Sequence, residues 1–147
     1  MDAQVGSTKE ALDALTIGKT VTVRKTVGET DVYLFAGITG DFHPNHVDEE
    51  YMRGTKYAHR IAHGALLIGF MSAASTKMIL GLPGTIVSYG YDQIRFPRPA
   101  FIGDTLTVNY EIAEKDVLSQ KVFARVTCAN QRNEVVAAAR HILKVVA

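Results

Sequence analysis

Only one cysteine, Cys128, occurs in the 147-residue sequence, and this excludes an internal disulfide. Such cysteine usage is compatible with a reducing compartment, and we expect a cytoplasmic protein. The sequence also has no excess of positive or negative side chains, because its formal net charge is only +1. We therefore expect neither nucleic acid nor an anionic membrane as a partner.

Membrane and export signals are lacking as well. Residues 1–6 do not show the basic region followed by an apolar region that marks a signal peptide. The apolar run from Ala65 to Leu80 is shorter than the roughly 20 residues of a membrane span. Polar side chains also interrupt it, namely Ser72, Ser75, Thr76 and Lys77. We interpret this run as a buried helix.

The first part of the chain has mainly helical patterns. We expect residues 1–18 to be a loose leader, followed by a short strand over Thr20–Arg24. Thr26 and Glu29 fit a capping box, which predicts a helix that ends near Gly37.

The second part consists of one apolar helix and a series of strands. The helix predicted over Gly64–Leu80 is apolar on almost every side. Alternating or β-rich residues then predict four strands, over Thr85–Phe96, Thr105–Ile112, Lys121–Cys128 and Val135–Val146. Because such a helix must be covered, we expect an α+β fold in which an antiparallel sheet curls around it.

The segment from Asp41 to His46 carries the strongest chemical signal. Pro44 fixes its own φ and biases His43 away from helical geometry, so the segment is predicted to be a shaped loop. A loop that brings a carboxylate and an imidazole together can act as an acid–base pair on one water molecule. Alternatively, Asp41 only satisfies N–H groups of a turn. Downstream, Gly64 begins the apolar helix, where free N–H groups can face a developing negative charge.

Metal binding is an alternative use of the histidines. His43 and His46, like His59 and His63, have spacings that metal ligands can adopt. However, no Glu follows the first His of either pair as in a zincin helix, and no Cys lies nearby. We therefore predict no metal site and no cofactor. In this interpretation His43 is a loop or pocket-wall residue, and His63 is an N-cap or packing residue.

Three patches of the sequence together resemble the MaoC-like hydratases, which include the R-specific enoyl-CoA hydratases of the hot-dog fold. The patches are Phe35–His46, Ile61–Gly64 and Phe96–Asp104. Their order and spacing match the family from about Thr20 to Val146, which predicts a single domain over residues 1–147. The resemblance implies a long buried helix wrapped by a curved antiparallel sheet. It also implies a homodimer or higher homo-oligomer with the active site near the subunit interface.

The resemblance further implies an activity, the reversible addition of water to a trans-2-enoyl-CoA to give an (R)-3-hydroxyacyl-CoA. By position, Asp41 and His46 would be the catalytic pair, and the Gly64 N–H would receive the thioester oxygen. We assign a second group of residues to substrate binding. In this group, Arg60 and Arg98 are expected to contact the phosphates of coenzyme A. The whole group is His43, Asn45, His63, Arg60 and Arg98.

Two positions depart from the family pattern. The family often has asparagine where His43 stands and an aliphatic residue where Asn45 stands, so this loop is more polar than usual. The natural substrate therefore stays open. The alternatives are a dehydratase acting on acyl-carrier-protein thioesters and a non-catalytic acyl-CoA-binding hot-dog module. A thioesterase fits less well, because such relatives usually carry an acid on the central helix and Gly64–Leu80 contains none.

Overall fold

The computed structural model describes residues 8–146, which form five helices and five strands. The helices are α1 Thr8–Ala14, α2 Glu29–Thr39, α3 Pro44–Val47, α4 Glu49–Arg53 and α5 Gly64–Ile79. The strands are β1 Thr20–Thr26, β2 Thr85–Arg95, β3 Thr105–Asp116, β4 Lys121–Ala129 and β5 Val135–Val146.

All five strands join one antiparallel sheet in the order β1-β3-β4-β5-β2. The period-two pattern of β3 fixes which side faces the core, since Leu106, Val108, Tyr110 and Ile112 are all buried. Helix α5 contacts β1, β3, β4 and β5, so it lies across the inner face of the sheet. The α+β architecture with an antiparallel sheet on a central helix is therefore confirmed.

Helix α5 buries one side only within this chain. Leu67, Met71 and Met78 point into the core, whereas Ala65 and Gly69 on another side are exposed. The prediction of a helix buried on every side is thus wrong for the single chain, because the sheet covers one face of it. None of the helices in residues 8–146 combines the length and apolarity needed to cross a membrane.

The N-terminal segment is not a loose leader over the part that the structure describes. Residues 1–7 lie outside the described residues, but helix α1 buries Ala11 and Leu12, and Leu15 after it is fully buried. The Lys115 ammonium also donates a hydrogen bond to the Leu12 carbonyl, at 2.7 Å. The leader prediction is therefore wrong for the helical part of this segment, because Ala11, Leu12 and Leu15 belong to the main core.

The start of α2 differs from the prediction in its capping residue. Strand β1 continues to Thr26, whose hydroxyl bonds that of Thr105 at 2.9 Å, so Thr26 does not cap the helix. The N-cap is Gly28, whose N–H donates to the Asp31 carboxylate at 2.8 Å. The predicted capping box of Thr26 and Glu29 is thus wrong, and the helix begins at Glu29.

Candidate active site

The Asp41 loop begins where α2 ends. Gly40 has φ of +83°, in the left-handed region that glycine adopts at low cost, and its N–H donates to the Ala36 carbonyl at 2.8 Å. The chain then turns, and the Asp41 carboxylate accepts a long hydrogen bond of 3.4 Å from the His43 N–H. Asp41 is exposed, so its carboxylate remains accessible to water or a ligand.

His46 is held on the short helix α3, which begins at Pro44. Its Nδ1 lies 2.7 Å from the Ile61 carbonyl oxygen, and a carbonyl only accepts. Nδ1 therefore carries the hydrogen of the neutral ring, and Nε2 is left with a free lone pair. Burial lowers the pKa of His46 below the usual histidine range, although the hydrogen bond to Ile61 acts in the opposite direction. The ring is thus arranged as a neutral base.

His63 connects the two candidate catalytic residues. Its ring stacks on that of His46, with centroids 3.8 Å apart and planes 26° from parallel. Its Nε2 donates to the backbone carbonyl of Asp41 at 3.0 Å, and the Phe35 ring lies 4.7 Å away between centroids. The side chain is buried, and its Nδ1 has no hydrogen-bond partner among residues 8–146.

Metal binding can be tested against this geometry. Asp41, His46 and His63 each offer a ligand atom, and the three atoms lie within 4.8 Å of one another. An imidazole binds a metal through a lone pair in its ring plane, so two ligating rings must converge on one point. The rings of His46 and His63 are instead stacked with their planes only 26° from parallel, and each ring uses one nitrogen on a carbonyl. Nearly parallel rings do not converge on one point, so the geometry does not favour an ion bound by both histidines.

Gly64 begins α5 directly after His63. The Leu66 and Leu67 N–H groups donate to the His63 carbonyl at 3.1 and 3.4 Å. The Gly64 N–H makes no hydrogen bond to any residue between 8 and 146, as expected for the first N–H of a helix. The Phe96 ring covers this glycine, because a Cβ added at position 64 would lie 2.8 Å from Cε2 of Phe96. Close packing against Phe96 thus explains why a residue without a Cβ occupies position 64.

Backbone contacts bring the third sequence patch to the second. The Ala62 N–H donates to the Ala100 carbonyl at 2.8 Å, and Ile61 forms an isolated antiparallel bridge with Phe101. The buried Asp104 carboxylate accepts from the Phe101 N–H at 2.9 Å and fixes the turn that follows. The three patches, distant in the sequence, therefore meet around Asp41 and His46.

His43 and Asn45, the two departures from the family pattern, contact each other. His43 is the N-cap of α3, and its Nδ1 accepts from the Asn45 N–H at 3.3 Å and also touches the Asn45 side-chain oxygen. Its ring meets that of His46 edge-on at 6.5 Å between centroids. The two departures thus form one contact pair in the loop, beside the proposed base.

Arg60 is already paired within the chain. Its guanidinium contacts the carboxylates of Glu29 and Glu49 and donates to the Tyr33 hydroxyl at 3.2 Å. Hydrogen bonds from His59 and Arg60 lower the pKa of Glu49 to about 2. Because this network joins α2 to α4 and neutralises the guanidinium, the structure gives no support to Arg60 as a phosphate ligand.

Arg98 is in a different situation. Its side chain is exposed, and it forms a long ion pair of 3.4 Å with Glu134. An exposed pair of this length contributes little to stability and exchanges readily with another anion. Arg98 therefore stays available as a substrate contact.

Comparison with known proteins agrees with this architecture. A family model described as "MaoC like domain" matches residues 13–133. The chain belongs to the MaoC-like family. The MaoC-like chain also shares its fold with the unliganded R-hydratase PhaJ1 from Pseudomonas aeruginosa, at a TM-score of 0.80 and 31% identity. That match covers 91% of this chain and 84% of the other, and it confirms the hot-dog fold.

Two relatives of this MaoC-like protein carry named activities. The (R)-specific enoyl-CoA hydratase of Rhodospirillum rubrum is 39% identical over 113 residues, which cover 76% of this chain and 75% of that protein. The 3-hydroxybutyryl-CoA dehydratase of Methylorubrum extorquens is 36% identical over 116 residues, which cover 78% and 69% respectively. The resemblance that the three sequence patches indicate is thus confirmed at the level of the family.

Sequence analysis missed two contacts of this site. Ile61 acts through its backbone carbonyl, so its side chain gives no signal of a role. Phe96 lies in the third patch, but its approach to Gly64 joins residues far apart in the chain, and no local pattern predicts it. Its only signal is its position in a patch that resembles the family.

Proposed function

We propose that this protein catalyses the reversible hydration of a trans-2-enoyl-CoA to an (R)-3-hydroxyacyl-CoA. The observation that carries the proposal is the accessible Asp41 carboxylate next to the neutral, buried imidazole of His46, at the start of α5. The hydratase of R. rubrum and the dehydratase of M. extorquens are named for the two directions of such a reaction, which supports the same assignment here.

One water molecule bound between Asp41 and His46 supplies the elements that are added. The Nε2 of His46 accepts one of its hydrogens, because Nδ1 is occupied by the Ile61 carbonyl. The Asp41 carboxylate accepts the other hydrogen. With both hydrogens held, an oxygen lone pair is left free to attack the substrate.

In the hydration direction, the water oxygen forms a bond to C3 of the enoyl group. The electrons of the C2–C3 double bond move toward the thioester carbonyl, and the water proton passes to the Asp41–His46 pair. The pair then delivers a proton to C2, which completes the addition of H and OH and restores its starting protonation state. No cofactor takes part in these steps.

Negative charge develops on the thioester oxygen during this reaction. We assign its stabilisation to the Gly64 N–H, which has no acceptor within residues 8–146, and to the positive end of the α5 dipole. One such donor typically lowers the barrier by about 3 to 4 kcal/mol. The Phe96 ring packs against Gly64 on the side where a Cβ would lie.

Substrate contacts are assigned to residues around this centre. His43 and Asn45 form the rim of the loop beside His46, and buried His63 forms part of the wall. Arg98 is assigned to the phosphates of coenzyme A, because it is exposed and only weakly paired. Arg60 is not retained in this role, because Glu29 and Glu49 neutralise it.

We further propose that the protein works in the cytoplasm as a homodimer or larger homo-oligomer. Strand β2 is an edge of the sheet, and its exposed Val87 and Tyr89 leave apolar surface beside unpaired backbone groups. Light scattering at micromolar concentration should therefore give at least twice the chain mass. An active monomer would contradict this part of the proposal.

The activity itself is tested by the loss of enoyl-thioester absorbance. The panel consists of crotonyl-, octenoyl- and mesaconyl-CoA together with an enoyl group linked to acyl carrier protein. The blank is the double variant Asp41→Asn/His46→Gln, purified in the same way to correct for contaminating hydratases. Hydration of at least one CoA thioester to the R product is expected. If only the carrier-linked substrate reacts, the carrier-protein dehydratase is correct, and if none reacts above the blank, the proposal fails.

A further inference from the structure

His63 takes part in no bond-making step of the proposed reaction, yet it touches every component of the site. It stacks on His46, donates to the backbone of Asp41 and precedes Gly64 directly. We propose that His63 is a positioning residue that sets the relative placement of the base, His46, and the acid, Asp41. The inference rests on the proposed function and adds a role for a side chain that was assigned above only to the wall of the site.

The hydrogen bond from His63 acts on the acid. The Asp41 carbonyl only accepts, so the hydrogen of the neutral His63 ring is on Nε2. Asp41 lies in an exposed loop whose own hydrogen bonds are long, at 3.3 Å to the Thr39 hydroxyl and 3.4 Å from the His43 N–H. The 3.0 Å bond from buried His63 is therefore shorter than either of these bonds.

The ring of His63 acts on the base. The His46 ring is fixed at one edge by the Ile61 carbonyl, but one hydrogen bond leaves rotation about that contact possible. Stacking at 3.8 Å restricts this freedom, because the His63 ring covers one face of the imidazole. The direction of the Nε2 lone pair toward the catalytic water is thereby set.

Simple packing does not explain why this residue is a histidine. The Nδ1 of His63 is buried without a hydrogen-bond partner in the described part of the chain, which is unfavourable for a polar atom. A phenylalanine would fill the same space beside Phe35 without an unsatisfied nitrogen. The gain that offsets this loss is the Nε2 donor to Asp41.

Three substitutions separate the two contacts. His63→Phe keeps a ring but removes the donor, His63→Gln keeps a donor but removes the ring, and His63→Met is shaped like Gln but has neither. We expect all three to lower kcat by about 10- to 100-fold with KM changed far less, because misplacement of catalytic groups costs rate and not binding. Gln and Phe should each retain a higher kcat than Met.

The same comparison in two variant backgrounds tests positioning directly. In an Asp41→Asn background, the advantage of Gln over Met should shrink to within about twofold, since the donor acts through Asp41. In a His46→Gln background, the advantage of Phe over Met should vanish in the same way. A residue that only maintains the fold would give the same ratios in every background.

The outcomes distinguish this inference from the proposed function. A wild-type protein that hydrates no thioester overturns the proposed function and the inference with it. An active wild type together with equal kcat for the Gln and Met variants overturns the inference alone, as do ratios that persist in both backgrounds. If the Phe variant does not fold, the Gln and Met pair decides the result by itself.

Discussion

The Nδ1 of His46 lies 2.7 Å from the carbonyl oxygen of Ile61. This contact joins the first sequence patch to the second, and it fixes which nitrogen of the imidazole can accept a proton. A second bond between the same segments, from the Ile61 N–H to the Asn45 carbonyl at 3.0 Å, holds α3 against the segment that precedes α5. The base is therefore oriented by backbone groups.

The pH dependence of the rate follows from the state of His46. The proposed reaction needs the neutral ring, and burial lowers the pKa of His46 below the ordinary value of about 6.5. As pH falls, kcat/KM should decline with a midpoint below pH 6.5, when the ring becomes protonated. The groups that face this ring are Asp41, His43 and His63. A decline centred above pH 6.5 in the profile of kcat/KM would contradict the account.

Substitutions at Gly64 test the oxyanion donor, but they must be made in a variant that lacks the Phe96 ring. Alanine at this position places its Cβ against the Phe96 ring, so Gly64→Ala alone mixes a collision with the chemistry. In a Phe96→Ala background, Gly64→Ala should be tolerated, whereas Gly64→Pro removes the N–H. His63 has φ −61° and ψ 135°, a conformation that a following proline favours.

The proline variant should therefore fold and have a kcat about 100- to 1,000-fold below the alanine variant in the same background. Binding of a non-reactive acyl-CoA, measured beside the rate, controls for blockage of the site. Equal turnover of the two variants at equal binding would exclude the Gly64 N–H as the donor.

His141 should control stability in acid. It is fully buried between the Tyr110 hydroxyl, at 2.7 Å, and the Ser88 hydroxyl, at 2.8 Å, and burial lowers its pKa to about 4. The unfolded chain binds this proton at an ordinary pKa of about 6.5, so the free energy of unfolding should decrease as pH falls from about 6.5 to about 4.

Urea unfolding at several pH values, compared between wild type and His141→Gln, isolates this contribution from that of His46. The variant should be less stable at neutral pH, because Tyr110 and Ser88 lose a partner, and its stability should depend less on pH. An unchanged pH dependence in the variant would show that His141 does not cause the effect.

Chelation tests the absence of a metal requirement. Because the stacked rings of His46 and His63 do not converge on one point, activity should survive exhaustive treatment with a chelator. Elemental analysis of the purified protein should find no stoichiometric zinc. Activity that is lost on chelation and restored by a divalent ion would reverse this assignment.

Local patterns were sufficient for several parts of the fold. The alternation in Thr105–Ile112 predicts which side of β3 is buried, and Pro44 predicts the non-helical backbone of His43. The loop predicted over Asp41–His46 is wrong from Pro44 onward, because proline is tolerated in the first turn of a helix and Pro44–Val47 forms α3. These features depend on residues close together in the chain. The apolar spacing of Ala11, Leu12 and Leu15 is equally local and indicates a helix. The prediction of a loose leader did not take this spacing into account.

The remaining features depend on contacts between distant segments. Thr26 is a good capping residue in isolation, but pairing of β1 with β3 extends the strand through it. Similarly, the sequence alone allows Arg60 to be a phosphate ligand. In the fold, Glu29 and Glu49 form ion pairs with its guanidinium and neutralise it. The approach of Phe96 to Gly64 is of the same kind, since only the folded chain joins them.

The central claim is that Asp41 and His46 act together on one water, and turnover of the variants Asp41→Asn and His46→Gln tests it most directly. Each substitution should lower kcat by about 100-fold or more, and the double variant should be hardly slower than either single variant. The thermal midpoint of Asp41→Asn serves as the folding control, because exposed Asp41 contributes little packing. Near-normal kcat in both folded single variants would contradict the account.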